Sequence, residues 1–170
     1  MSDGARTEPD PSEPLRPPRH PVDPRCVLWW RLTALMVVAP LVVVCAVVTL
    51  VTGSPWGVLA LVATAVLGAV YVAAMPQIRF RIHRWEITAE AVYTTTGWLT
   101  QEWRVAPLSR IQTVDSVRGP LQQALGLSTV TVTTASAAGA LAIVALDADL
   151  AEQVVHHLTT RTQATPEDGT

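Results

Sequence analysis

The sequence predicts an α+β membrane protein: a two-helix transmembrane hairpin followed by a small domain of antiparallel strands closed by a C-terminal helix. Three observations predict it. Residues 32 to 78 form 47 consecutive positions without a charged side chain. Short segments rich in Val, Ile and Thr then follow, separated by Gly97, Gly119-Pro120, Gly126 and Gly139. From Asp149 onward apolar residues recur at helical spacing.

As a single helix the charge-free run would extend about 70 Å at about 1.5 Å per residue. A bilayer core is only about 30 Å thick. The run must therefore fold back, and Gly53-Ser54-Pro55 supplies the break. The first span, residues 32–51, carries twelve Leu or Val, each favouring insertion. Pro40 lies inside it and predicts a kink, because a neighbouring helix re-satisfies the freed carbonyl. The second span, residues 56–75, has eight Leu or Val and six Ala. Its small residues recur every four positions, as Ala65, Ala69, Ala73 and as Ala60, Thr64, Gly68, which permits close packing on the first span. The run begins only after a polar tail with Asp3, Glu8, Asp10 and Glu13, and it is too long for the core of a cleavable signal peptide.

Residues 1–27 read as a disordered, Pro-rich cytoplasmic tail, too poor in apolar side chains to offset ordering entropy. Arg16, Arg19, Arg25 and Arg31 precede the hairpin; Arg79, Arg81 and Arg84 follow it; the connecting loop has none. The positive-inside rule then puts both termini in the cytoplasm of a multi-pass protein of the cell membrane. Trp29, Trp30 and Arg31 are expected as anchors at the inner interface and Trp56 at the outer one.

The hairpin is assigned to residues 28–77 and the soluble domain to 78–161. In Ile78-Arg79-Phe80-Arg81-Ile82-His83 apolar and polar residues alternate with period two, which predicts a strand. Its phase slips at His83-Arg84, which predicts a bulge. Residues 91–96 and 100–105 read as two more strands around a Gly97-Trp98-Leu99 tip. Residues 110–117 fit strand or helix: Ile111, Val114 and Val117 have helical spacing, and the β-branched content favours a strand. Residues 121–125 read as a helical turn, 128–134 and 141–146 as strands, and 135–139 as a turn. Asp149, with Glu152 three residues on, is positioned to cap the last helix. Leu150, Val154, Val155 and Leu158 form its apolar stripe. Residues 162–170 read as a disordered tail.

Charge and motifs exclude more than they suggest. The net charge of −2 gives no footprint for nucleic acid. Between residues 76 and 161 seven Arg face seven acidic residues, so no polybasic face is expected. No phosphate loop, nucleophile motif or metal-ligand spacing occurs. His156 and His157 are adjacent on a helix and diverge by about 100°. Cys26 and Cys45 read as isolated thiols. No catalytic residue, cofactor, metal or small-molecule substrate is expected. Arg79, Arg81, Arg84 and Trp98 are the candidates for contact with lipid headgroups or the membrane surface.

Strands closed by one amphipathic helix, together with particular local segments, carry a resemblance. Trp85-Glu86-Ile87-Thr88-Ala89-Glu90-Ala91-Val92, Arg110-Ile111-Gln112-Thr113-Val114-Asp115, Gly119-Pro120-Leu121 and Leu125-Gly126-Leu127 resemble the bacterial pleckstrin-homology-like (PH-like) membrane proteins of the YdbS-like group. The Arg19-His20-Pro21 and Trp29-Trp30-Arg31-Leu32 stretches resemble the way such proteins enter their first helix. The resemblance spans roughly residues 19–161. It implies a bent, seven-stranded antiparallel β-sandwich or barrel with a C-terminal capping helix, and no catalytic residues. It also implies an interaction or assembly module on the cytoplasmic face, with self-association or another membrane protein as partner. The alternatives are an anionic-lipid sensor and an accessory subunit of a transporter or exporter involved in envelope stress or toxin tolerance. Neither span carries the ionisable residue that a transport path would need.

Overall fold

The structure is a computed structural model that describes residues 18–135 and 139–163. The greater part of both predicted tails, and the middle of the predicted turn at 135–139, lie outside the described residues. The chain opens with a two-residue strand, β1 (His20–Pro21), then two long helices, α1 (Cys26–Thr52) and α2 (Pro55–Ile82). At 27 and 28 residues each helix is about 40 Å long, roughly 10 Å more than a bilayer core. The excess lies at the domain end. The buried residues of α1 are Cys26, Trp30 and Ala34, and those of α2 are Met75 and Pro76.

The hairpin turns where the sequence breaks. Gly53 sits at φ 60°, and its N–H donates to the Thr49 carbonyl at 3.0 Å. Pro55 opens α2, where a missing N–H leaves no bond unmade. A side chain at Gly68 would place its Cβ 2.4 Å from Val38 Cγ1, so this glycine sets how closely the helices approach. Thr64 Oγ1 lies 3.8 Å from Cys45 Sγ across the same seam. The other small residues divide: Ala60, Ala69 and Ala73 are exposed, so the predicted Ala65-Ala69-Ala73 row is not the seam.

Residues 78–82 are the last turn of α2, not a strand. An alternating Ile-Arg-Phe-Arg-Ile sequence satisfies either period over so short a length. A helix already running from Pro55 continues at little cost, and Arg79 and Arg81 suit its carbonyl end. The phase slip at His83-Arg84 is the helix-to-strand junction rather than a bulge.

Strands β2 (Arg84–Ile87), β3 (Ala91–Gly97) and β4 (Gln101–Pro107) make an antiparallel sheet with β1 at its far edge, in the order β1-β2-β3-β4. After a 3₁₀ turn, Leu108–Arg110, strand β5 (Ile111–Val117) leads through the short helix α3 (Pro120–Ala124) to β6 (Leu127–Thr134) and β7 (Leu141–Asp147). These three form the second sheet, in the order β5-β6-β7. The ambiguous 110–117 segment is therefore a strand. Helix α4 (Ala148–Gln163) closes the domain and includes residues 162 and 163. Its N-terminal cap is Asp147, whose Oδ1 accepts the Asp149 N–H at 3.0 Å, in place of the expected Asp149. Its buried face is Ala151, Val154 and Leu158, with Val155 beside it and Leu150 at 37 % exposure.

The sandwich core contains residues from before the hairpin. Val22, Cys26 and Trp30 are at most 3 % exposed and pack with Trp85, Val92, Leu127, Ile143, Leu146 and Leu158. The predicted tail boundary at residue 27 is therefore too late: residues 18–27 are part of the domain, and their β1 pairs His20 with Trp85. Arg25 fixes this segment. Its Nε and Nη2 donate to the two Asp23 carboxylate oxygens, each at 3.0 Å. Nη1 donates to the Leu125 carbonyl at 3.1 Å, and Nη2 also pairs with Asp147. The Asp23 N–H donates to the Ala145 carbonyl at 3.0 Å. That carbonyl is presented by a bulge in β7, where the β6–β7 register slips between Ser128–Leu146 and Val130–Ile143 and Ala145 takes φ 54°.

Two outcomes follow from the Arg25 clamp. Gly126 holds φ 66°, and a Cβ there would come 2.9 Å from Arg25 Nη1. We expect Gly126→Ala to lower stability by about 1–2 kcal/mol, measured by denaturation in detergent micelles. The Arg25 guanidinium holds the Asp23 and Asp147 carboxyls below their ordinary value of 3.8. Groups depressed in this way contribute stability above the unfolded pKa, and it is lost as pH falls through the lower folded values. The melting temperature should fall on acidification below about pH 4, and that loss should shrink in Arg25→Gln; an unchanged acid limb in the variant would argue against the clamp.

Candidate membrane interface

The predicted contact residues occupy one end of the domain, where the hairpin enters it. Arg79 and Arg81 lie on the last turn of α2, and Arg84 starts β2. Their environments differ. Arg81 is exposed and Arg84 half-buried. The Arg79 guanidinium lies over the Trp30 ring at 4.6 Å, and its Nε is sealed from solvent without a hydrogen-bond partner. His83 meets the same indole at 5.1 Å between centroids, tilted by 59°. Its Nδ1–H donates to the Arg79 carbonyl at 2.9 Å, and burial pushes its imidazole pKa down, which favours the neutral ring.

The expected aromatic anchors separate. Trp56 is 77 % exposed at the far end of the hairpin. Trp30 is not an interfacial ring: it is 3 % exposed and belongs to the domain core. It lies one helical turn along from Cys26, on the face of α1 that plugs the sandwich. Trp29 is half-buried against that core, and Arg31 is exposed.

Trp98 gains a partner that sequence reading missed. The β3–β4 hairpin tip leans on α2, and the Trp98 ring meets Tyr71 edge-on at 6.0 Å between centroids. Gly97 makes the tip possible: at φ 121° a Cβ would fall 1.8 Å from the Thr100 carbonyl oxygen. Leu99 is 81 % exposed beside it. Tyr71 lies within the apolar span, eleven residues before the end of α2, or about 16 Å along the axis. The tip thus reaches back along the hairpin beside the apolar span.

Below the tip a cleft of about 370 Å³ separates the end of α2 from the two sheets; Arg79, His83, Thr96, Thr100, Glu102 and Arg104 are among its walls. Arg104 binds Glu102 at 3.2 Å and the Ala140 carbonyl at 3.0 Å. Among the described residues no group of His, Cys, Asp and Glu is arranged to hold a metal ion.

The family model described as the bacterial PH domain matches residues 27–162. The chain belongs to the bacterial PH domain family. Its match begins inside the segment that plugs the core and covers both helices as well as the sandwich. A curated relative, the UPF0699 transmembrane protein YdbS of Bacillus subtilis (strain 168), is 29 % identical over 126 residues, covering 70 % of this chain and 78 % of the relative. No solved structure matches the chain. With two apolar helices of spanning length and a relative named as transmembrane, this bacterial PH protein is a membrane protein.

The depth of the tip is directly measurable. We expect a nitroxide at Leu99→Cys, in a Cys45→Ala background and in lipid bilayers, to collide more with oxygen than with a water-soluble nickel chelate. A label on Asp115→Cys in β5 should show the reverse. Equal, water-like accessibility at both sites would place the tip in the cytoplasm instead.

Proposed function

We propose that the chain is a non-enzymatic assembly module, anchored in the cell membrane with both termini cytoplasmic, that associates with a second copy of itself. One observation carries this reading. On β4 the pattern of alternation is inverted. Trp103 and Val105 are 42 % and 46 % exposed, while Arg104 and Ala106 face the cleft and the core. A strand with one buried face ordinarily turns its apolar residues inward. Here Trp103 pairs with Thr95, and Val105 with Tyr93, so the outward face carries an apolar cluster of Tyr93, Trp103 and Val105 beside Thr95. Strand β4 is also an edge, hydrogen-bonded only to β3 among the described strands.

Tethering favours a like partner. Two copies in one membrane share orientation and depth, so a two-fold axis along the membrane normal brings identical patches together at the same height. That is the isologous arrangement most soluble dimers use. The inside orientation is supported by the arginines flanking the hairpin, and emergence of both hairpin ends on one side is supported by a domain core that takes residues from each.

The test is disulfide trapping in native membranes. Val105→Cys in the Cys45→Ala background should give a covalent dimer on mild oxidation, and adding Trp103→Asp should lower its yield several-fold. Gln123→Cys, on exposed α3, should give none. If Val105→Cys stays monomeric while the protein remains folded, the self-association reading fails.

A further inference from the structure

The cleft beside Arg79 has a charge balance that self-association does not explain. Its one carboxylate, Glu102, is engaged by Arg104. Arg79 has no ion pair among the described residues, and its Nε is sealed from solvent, so a counter-charge can reach it only at the terminal nitrogens. A guanidinium held on an indole face and partly removed from water, without a counter-charge, is costly unless an anion completes it. Trp30 covers one side of the group, which leaves the terminal nitrogens as the donors available to a ligand. Thr94, Thr96 and Thr100 add hydroxyl-bearing side chains to the same walls. The volume, about 370 Å³, falls in the range of small-ligand sites.

Position selects the kind of anion. The cleft extends to Gly97 and Thr100, the residues that bracket Trp98 and Leu99. Trp98 in turn rests on Tyr71 of the membrane span. A ligand with its charge at Arg79 and an apolar portion directed along α2 would meet both environments. We propose that this cleft seats the phosphate of an anionic membrane lipid, with Arg79 as its charged contact. The site is built from the transmembrane helix together with β3, β4 and β7. It does not involve the β2–β3 turn, which is short and carries Glu90.

The full-length protein tests this in nanodiscs or by native mass spectrometry from detergent. Retention of phosphatidylglycerol is compared with that of phosphatidylcholine at high salt, where exposed charges are screened. Arg79→Gln should reduce the preference for phosphatidylglycerol about tenfold, as loss of a charge-assisted contact predicts. Arg81→Gln, which alters an exposed neighbour, should change it by less than about twofold. Thr96→Phe, which fills the cleft and leaves every charge in place, should reproduce the Arg79→Gln loss; it decides the matter if Arg79→Gln does not fold. Equal effects of Arg79→Gln and Arg81→Gln would mean diffuse surface attraction and overturn the proposal. So would stabilisation by inorganic phosphate matching that by phosphatidylglycerol, because the cleft would then be a site for free phosphate.

Discussion

The fold depends on the chain segment before the hairpin being locked into the core of the domain that follows it. Val22, Cys26 and Trp30 fill the sandwich from one end. Arg25 joins them to the α3–β6 turn and to the β7–α4 junction through Leu125 and Asp147. Asp147 also caps α4, so one carboxylate ties the entry of the first transmembrane helix to the start of the last helix. Remove the segment and the core loses three buried side chains and the sheet its outermost strand. The hairpin is thus an insertion into the domain, and the domain is incomplete without the residues that flank it on both sides.

That arrangement explains what the segments resembling bacterial PH-like proteins do. Leu125-Gly126-Leu127 supplies the carbonyl that Arg25 binds and the left-handed glycine that leaves room for its guanidinium, then sends Leu127 into the core. Gly119-Pro120-Leu121 starts α3, whose Gln122 accepts the Gly119 N–H at 3.0 Å and donates to Thr129 Oγ1 at 2.8 Å. Ile111 and Val114 pack on the core from β5, and the Arg110 carbonyl accepts the Ala135 N–H. Each is a joint of the scaffold. A resemblance carried by joints identifies a fold and leaves the activity open.

The parts legible in the sequence were those set by one strong physical term. Absence of charge over 47 residues admits no soluble explanation, and Gly53-Ser54-Pro55 admits few positions for the turn. Residues 128–134 are a run of Val and Thr and residues 141–146 a short apolar run, and they are strands. The parts that were missed are decided by tertiary contact. Two residues, His20 and Pro21, carry no strand signal of their own and become β1 only because β2 offers its edge. Ile78 to Ile82 carry a period that fits both structures, and the helix they extend decides between them. Trp30 reads as an interfacial anchor from its place beside a span. It is buried because α1 starts six residues earlier than the charge-free run and turns that face into the domain. Arg25 gave no local sign at all: its partners are two residues and 122 residues away. The inverted alternation of Trp103 and Val105 against Glu102 and Arg104 was present in the sequence; what it means depends on knowing which face of β4 the core occupies.

With both ends of the hairpin built into one core, the domain cannot swing freely beneath the bilayer. A flexible linker would let a tethered domain sample many heights and rotations, and surfaces at either end would then be equivalent. Here α2 runs straight into β2 with only His83 between them, and the β3–β4 tip braces back against Tyr71. Two contacts on different elements fix tilt as well as height. The end of the domain that carries Arg79 and Trp98 is therefore fixed against the hairpin, and the outward face of β4 projects alongside it at a set position relative to α2. A flat apolar patch held at a fixed height in two dimensions loses less rotational and translational freedom on meeting its counterpart than a soluble domain would. Modest exposed area on β4 can then suffice for association in the plane of the membrane, where the same area in solution would not.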